Sequence, residues 1–319
     1  MTSHRSGPPV DFPHRDSKIA ENPAGDSALI RFPSRFWTVA VGVATLALTA
    51  VRARAQETAD LREKYFIRLP DLGNIVSPGG FFRGAPGTNS GTPFAFGPNW
   101  RDAFIGAGYQ NETRGLYDPV SKTMSPNNKN DGTAALGFGL GNSRDLIGLE
   151  VAVTTLSTVR SGWFNRTAFS FKAHRMLGNT AALAVGVENA FIVGGEKTDG
   201  TDSWFGVLSK VFVLSAGNDS TSGRALTISA GAGNGRFRRP DDIAKNNATV
   251  NPFGSIALML FKQVSVLADY TGQDLNAGLS IVPLSAFPVV FTPAMADITG
   301  TASKSPRFIL GVGIGMHFQ

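Results

Sequence analysis

The sequence predicts an all-β protein: a closed antiparallel transmembrane β-barrel of about twelve strands, with a short N-terminal lead-in. Three observations predict it. From Trp100 onward apolar residues recur with a period of two, opposite a face of small residues. The connections between the predicted strands alternate between long and short. Aromatic side chains gather at both ends of those strands.

The alternation is clearest at the end of the chain. Phe308, Leu310, Val312, Ile314, Met316 and Phe318 interleave with Ile309, Gly311, Gly313, Gly315 and His317. A strand half exposed to water would show Lys, Glu and Thr on its second face. A greasy face backed by small residues instead fits a strand whose outer side meets lipid and whose inner side is crowded. The same pattern runs through Ala134–Leu140, Ile147–Val153, Leu183–Phe191, Leu226–Ala232 and Leu275–Ile281. Six agreeing segments outweigh the ambiguity of any one.

The predicted strands are 100–110, 130–141, 145–156, 163–175, 181–193, 203–214, 224–236, 251–262, 264–271, 274–283, 287–298 and 306–318. Pro288 and Pro293 interrupt the eleventh, and 251–262 is apolar on both faces. If the chain starts at the periplasmic side, the odd connections face outward. The first (111–129) and the seventh (237–250) are long, whereas 142–144, 176–180 and Gln263 are short, as such barrels require; Ser215–Gly223 is longer and Gly272-Gln273 shorter than that rule expects. Tyr109, Trp163, Trp204, Phe237, Phe253 and Tyr270 fall at the outer strand ends, and Trp100, Phe171, Phe212, Phe261, Phe287 and Phe318 near the other. Two aromatic rims suit two membrane–water interfaces and have no place in a soluble β-sandwich.

Composition agrees. Only 17% of the 319 residues are charged, and 37 glycines and 23 phenylalanines point to close-packed strands with aromatic borders. The absence of cysteine removes disulfides, thiolate metal sites and cysteine nucleophiles. The net charge of +6 falls when residues 1–55 are set aside, because they hold seven basic residues and four acidic ones. No Lys/Arg stripe with interleaved aromatics remains, which argues against a nucleic-acid partner.

Residues 1–55 read as an export signal peptide. The uncharged run Trp37–Val51 is shorter than the ~20 residues that span a bilayer. Arg31 and Arg35 precede it, and Ala53-Arg54-Ala55 supplies a small-x-small cleavage site. Cleavage after Ala55 is expected, so N-terminal sequencing of the mature protein should begin at Gln56. A retained Trp37–Val51 run would instead mark an inner-membrane anchor. Residues 56–98, rich in Pro and Gly, read as a periplasmic lead-in or a plug segment, and 99–319 as the transmembrane barrel.

The candidate lumen-lining residues are Glu150, Arg166, Lys172, His174, Glu188, Lys210 and Asp269. Glu150, then Arg166 and Lys172, then Glu188 would form an acid–base–acid ladder across three consecutive strands. Such a ladder either fills a narrow interior or makes a charge-selective constriction. No catalytic motif, metal site or cofactor site is predicted: the chain has no HExxH, GxSxG or P-loop signature, and its histidines lack metal-ligand spacing.

With these features the chain resembles bacterial outer-membrane β-barrel proteins over roughly 100–319. That resemblance implies an outer-membrane location, membrane lipid as surroundings, and a C-terminal aromatic, here Phe318, read by barrel-assembly machinery. Phe96-Gly97-Pro98-Asn99-Trp100, Gly272–Ser280 and Arg307–Gly313 resemble, more narrowly, barrels related to exopolysaccharide-export outer-membrane proteins. The function expected is a passive pore or transporter for small hydrophilic solutes. The alternative is a non-conducting barrel serving envelope structure or polysaccharide export, and neither is an enzyme.

Overall fold

The computed structural model describes residues 85–114, 117–118, 120–121, 123–124, 129–159, 165–194, 202–215, 224–284, 289–301 and 305–318. The expected signal peptide 1–55, residues 56–84, Trp163 and Phe287 lie outside them. Among the described residues the strands are β1 (Asp102–Gln110), β2 (Tyr117–Asp118), β3 (Thr123–Met124), β4 (Asp131–Gly141), β5 (Gly148–Thr155), β6 (Thr167–Leu177) and β7 (Ala181–Val193). They continue as β8 (Ser203–Ser215), β9 (Arg224–Gly233), β10 (Asn251–Phe261), β11 (Val264–Tyr270), β12 (Leu275–Ile281), β13 (Val289–Ala296) and β14 (Arg307–His317). Twelve of them close a barrel in the order β1-β14-β13-β12-β11-β10-β9-β8-β7-β6-β5-β4, and β2 and β3 form a separate small hairpin.

Closure follows from pairing. Every neighbouring pair is antiparallel, and β1 joins β14 through nine rungs from Asp102↔His317 to Gln110↔Ile309. No edge remains exposed, which is what a sheet needs where water cannot satisfy its N–H and C=O groups. The β12–β13 ladder is the thinnest, with Ala277↔Met295, Gly278↔Ala294 and Ile281↔Phe291. Pro293 explains the gap, because it has no N–H to give.

The period-two alternation sorts the side chains as expected. Ile105, Leu136, Val185, Leu208, Ile256, Val266 and Leu279 are all exposed on the outer face. Their neighbours Ser209, Ser255, Ser265, Asp269, Asn276 and Ser280 are buried on the inner face. Both chain ends of the barrel share one end with the short turns after β4, β6 and β10 and the longer connections after β8 and β12; the other end holds the long connections, among them those after β1, β9 and β13, and the short turn between β11 and β12. At the long-loop end, the short helix α1 (Pro240–Ala244) touches β2. Those two elements belong to connections on opposite sides of the ring, so the loops meet across the mouth.

The rims are only partly as predicted. Tyr109, Trp204 and Tyr270 are exposed at the long-loop end, and Trp100, Phe212, Phe261 and Phe318 at the short-turn end. Phe237 and Phe253, expected on the outer rim, are instead buried inside. The reason is local. Strand β9 stops at Gly233, and Gly235 takes φ +59°, starting a single 3-10 turn over Gly235–Phe237. That turn folds Phe237 into the barrel, where it stacks on Phe253 at 4.5 Å and meets Phe205 edge-on.

The hydrophobic core therefore sits inside the barrel, on one side of it. It consists of Ala182, Ala184, Phe205, Val207, Val211, Ala225, Phe237 and Phe253 from the β7–β10 wall, with Ala95 and Phe96 of the segment before β1.

Candidate functional site

The site is the barrel interior, and its central element is the stretch preceding β1. Gly87 N–H donates to Ser280 Oγ at 2.7 Å, and Ser265 Oγ–H donates back to Gly87 O at 2.6 Å. Both serines lie toward the short-turn end. Ser90 N–H then reaches Asp269 Oδ1 at 3.0 Å, and Arg236 Nη1 donates to Gly91 O at 2.9 Å, near the long-loop end. From there the chain descends. Ala95 N–H donates to Ser209 Oγ at 3.0 Å, and Lys172 Nζ to Phe96 O at 3.1 Å. Finally His174 Nε2 lies 3.0 Å from Pro98 O, and Ser143 N–H donates to Asn99 Oδ1 at 2.7 Å. Residues 87–99 thus make a re-entrant loop inside the barrel, the position expected of a plug segment.

The sequence allows this because glycines stand where the loop and the wall come closest. A Cβ placed on Gly97 would lie 2.8 Å from the His174 ring, and one on Gly148 only 2.5 Å from it. His174, 2% exposed, is therefore clamped between two positions that only glycine fits. On the opposite flank Phe94 and Phe96 face the apolar β7–β10 wall. The loop backbone finds its partners in the inward side chains Ser209, Ser265, Ser280, Asp269, Arg236, Lys172 and His174, as buried N–H and C=O groups must.

The charges group differently from the predicted ladder. Glu150 and Lys172 do pair, with Oε2 and Nζ 2.6 Å apart and both side chains largely buried. They line a small cavity of about 120 Å³ together with Phe94, Glu188 and Phe205. Glu188 also faces inward, but it is paired with Arg236, whose Nη2 lies 2.9 Å from Oε1. Arg166 lies at the outer end of β6, six residues before Lys172 along the chain, so it does not stand between the two acids. Asp269 is inward and 1% exposed, held by Ser90 and by Asn276 Nδ2 at 3.2 Å.

Lys210 is a correction: it is on the outer face, not in the lumen. It alternates with buried Ser209 and Val211 and pairs across the sheet with Ala181 and exposed Ile228. Its Nζ donates to Thr180 Oγ1 at 2.6 Å. Strand β8 is apolar on both faces, because Val207 and Val211 serve the internal core. A lone lysine there carries no sign of which face it takes.

Sequence reasoning missed Arg236, Asp274, Arg307 and Arg114. Burial works against the Arg236 charge, yet Glu188, with Asp269 and Asp274 farther off, more than offsets that and holds the guanidinium above its ordinary range. The same group lies over the Phe237 ring at 4.3 Å. Asp274 takes Arg307 Nη2 at 2.7 Å and is also paired with Arg114 of the first long connection. Arg307 reaches Gln110 Oε1 at 3.0 Å. The only available signal was that Asp274 and Arg307 fall within two of the three stretches singled out above, which the fold brings together at the long-loop mouth. At the other end Asp102 Oδ1 and His317 Nδ1 meet at 2.7 Å across the closing seam.

The remaining wall carries mostly small side chains. The inner faces of β14, β1 and β4 carry Gly311 and Gly313, Gly106 and Gly108, and Thr133 and Ala135, with Phe104 on the same face of β1, its ring against Gly137. A Cβ at Gly106, Gly311 or Gly313 would find its nearest atom at 3.6, 3.7 or 3.8 Å, always in the barrel wall itself. Among the described residues, the re-entrant loop reaches this side at its end, where Pro98 and Asn99 lie against Gly139 of β4.

Fold and interior together define a closed twelve-strand antiparallel barrel with an internal strap and an apolar exterior. No protein-family model matches the sequence, and no curated protein matches it either. Among solved structures, the chain is similar to an outer membrane channel from Pseudomonas putida F1. The identity is 10% and the TM-score 0.41, over 72% of this chain and 100% of the other.

Proposed function

We propose that the protein is a passive channel of the bacterial outer membrane for small hydrophilic solutes, narrowed by the strap 87–99. The observation that carries this reading is the pairing of an apolar exterior with a two-sided interior. The strap fills the β5–β12 side through hydrogen bonds and the aromatic core. The β14-β1-β4 side presents mostly glycine, threonine and alanine, with Phe104 among them, to the space that is left. Strands apolar outside and small or polar inside are the pattern of a lipid-embedded barrel. Twelve strands lie between the eight of filled barrels and the sixteen of open porins, so interior side chains decide whether a passage exists. The exposure of Phe318, whose N–H donates to the Arg101 carbonyl at 2.8 Å, supports its reading as an assembly signal.

The test is single-channel conductance of the mature protein in planar bilayers. Steady conductance is expected, and Gly106→Phe with Gly313→Phe should reduce it severalfold in a barrel that still shows heat-modifiable gel migration. A folded parent without conductance would overturn the channel and favour the second reading, a structural or polysaccharide-export barrel. That second reading draws on the strap being tied to the wall along its whole length.

A further inference from the structure

The two ends of the barrel differ in how their charges are arranged. At the long-loop end the charges are matched: Asp274 with Arg114 and Arg307, Glu188 with Arg236, and Lys245 with Asp241. At the short-turn end stand Arg101, Arg144, Arg175, Lys210, Arg224 and Lys262. The described acidic residue on that rim is Asp145, engaged by Asn142 Nδ2 at 2.7 Å. The sequence adds Asp219 in the β8–β9 turn, outside the described residues. Asp102 at the same end points inward to His317.

The basic residues are arranged, not scattered. Following the strand order they form an arc from the β10–β11 turn through β9, β8 and β6 to the β4–β5 turn and the start of β1. Several adjoin exposed apolar side chains: Lys262 beside Phe261, Arg144 beside Leu146, Arg101 beside Trp100. Lys210 lies on the outer face among Leu208, Phe212 and Ile228, with its Nζ 6.0 Å from the Phe212 ring and bonded to Thr180 in the β6–β7 turn. Arg175, also on the outer face, bends to the β4–β5 turn and donates to Leu146 O at 2.6 Å. Both chains lay their methylenes along the apolar belt and carry the charge to its edge, as long basic side chains do at a membrane boundary.

From this we infer that the short-turn rim is a docking surface for the anionic phospholipid headgroups of the adjoining leaflet. The inference rests on the membrane-spanning reading above. Charge complementarity selects the partner: a cationic arc at the edge of an apolar belt faces the headgroup layer, and a phosphate layer with net negative charge is the surface it attracts. Exposed aromatics interleaved with the arc fix the depth at which the charges sit. The gap in the arc at β12–β14 implies that lipid is held on one side of the barrel more than the other.

The test reconstitutes the mature protein in phosphatidylcholine vesicles holding spin-labelled phosphatidylglycerol or spin-labelled phosphatidylcholine, and measures the motionally restricted fraction of each. At least about threefold preference for the anionic lipid is expected, collapsing in about 1 M salt, where screening is nearly complete. The triple variant Lys210→Gln, Arg224→Gln, Lys262→Gln should lose most of that preference, whereas Lys129→Gln, Arg239→Gln, Lys245→Gln at the other end should keep it. Lys210→Arg should also keep it, and heat-modifiable migration shows that each variant is folded. Equal restriction of the two lipids by the parent, or a preference unmoved by the rim triple, would overturn the inference. A protein that restricts neither lipid would instead overturn the membrane-spanning reading itself.

Discussion

Replacing Leu136 or Val185 by arginine is expected to destabilise the bilayer-folded barrel by about 2–4 kcal/mol. Both side chains lie in the middle of their strands on the outer face, 53% and 57% exposed. Leu136 pairs with Ile105 and Val153, and Val185 with Ala173 and Gly206, so neither has an acid beside it to neutralise a guanidinium. In water such exposed substitutions would change stability by only a few tenths of a kcal/mol. The size of the effect therefore reports the medium around the outer face. Inward changes divide by location. Gly106→Ser has room for its new side chain, with the nearest atom 3.6 Å from the Cβ, and should be nearly neutral, whereas Gly148→Ser drives its new side chain into the His174 ring and should cost about 1–3 kcal/mol. Denaturant titrations into lipid vesicles measure all four. Equal tolerance of Leu136→Arg and Gly106→Ser would show that the outer face does not meet lipid.

Much of the fold was legible because a barrel writes itself into the chain locally. Each strand has to alternate, and each alternation can be read without knowing its neighbours. That is why all twelve predicted strands are found, including the one holding Pro293, which loses two rungs to β12 but keeps an unbroken ladder to β14. The strap was half legible: the Pro- and Gly-rich run before β1 read as a lead-in or a plug, and the apolar double face of β10 was visible in the sequence without its reason, the internal aromatic core. What could not be read were contacts made between distant parts of the chain. Glu188 takes its partner from a 3-10 turn forty-eight residues later, and that turn exists because Gly235 adopts a left-handed backbone. An aromatic counted toward an outer rim, Phe237, changes sides for the same reason. Lys210 shows the complementary failure. Where both faces of a strand are apolar, alternation no longer says which is outside, and a single charge takes whichever face lets it reach water.

Lys172→Ala is expected to destabilise the barrel by about 2–4 kcal/mol and to raise its conductance. The Lys172 ammonium lies 2.6 Å from Glu150 Oε2 and donates to the Phe96 carbonyl at 3.1 Å, so one group holds an acid and the strap together. Removing it leaves a carboxylate and a backbone carbonyl unpaired in a confined interior, each costing about 1–3 kcal/mol, the lower end applying where some water reaches. The pair itself need not be a net source of stability, since a buried ion pair exchanged for apolar groups of similar size is often close to neutral. Lys172→Met combined with Glu150→Leu should therefore cost less than the two single changes added, a coupling of about 1 kcal/mol or more. The double variant still lacks the donor to Phe96, so the strap should remain loose and the conductance high even as stability returns. Stability and conductance then separate in one series, which a pair that merely fills space would not produce. If Lys172→Ala were tolerated as well as Lys262→Ala on the exposed rim, the strap would have to be held without Lys172, by its bonds to His174, Ser209, Asp269, Arg236, Ser265 and Ser280.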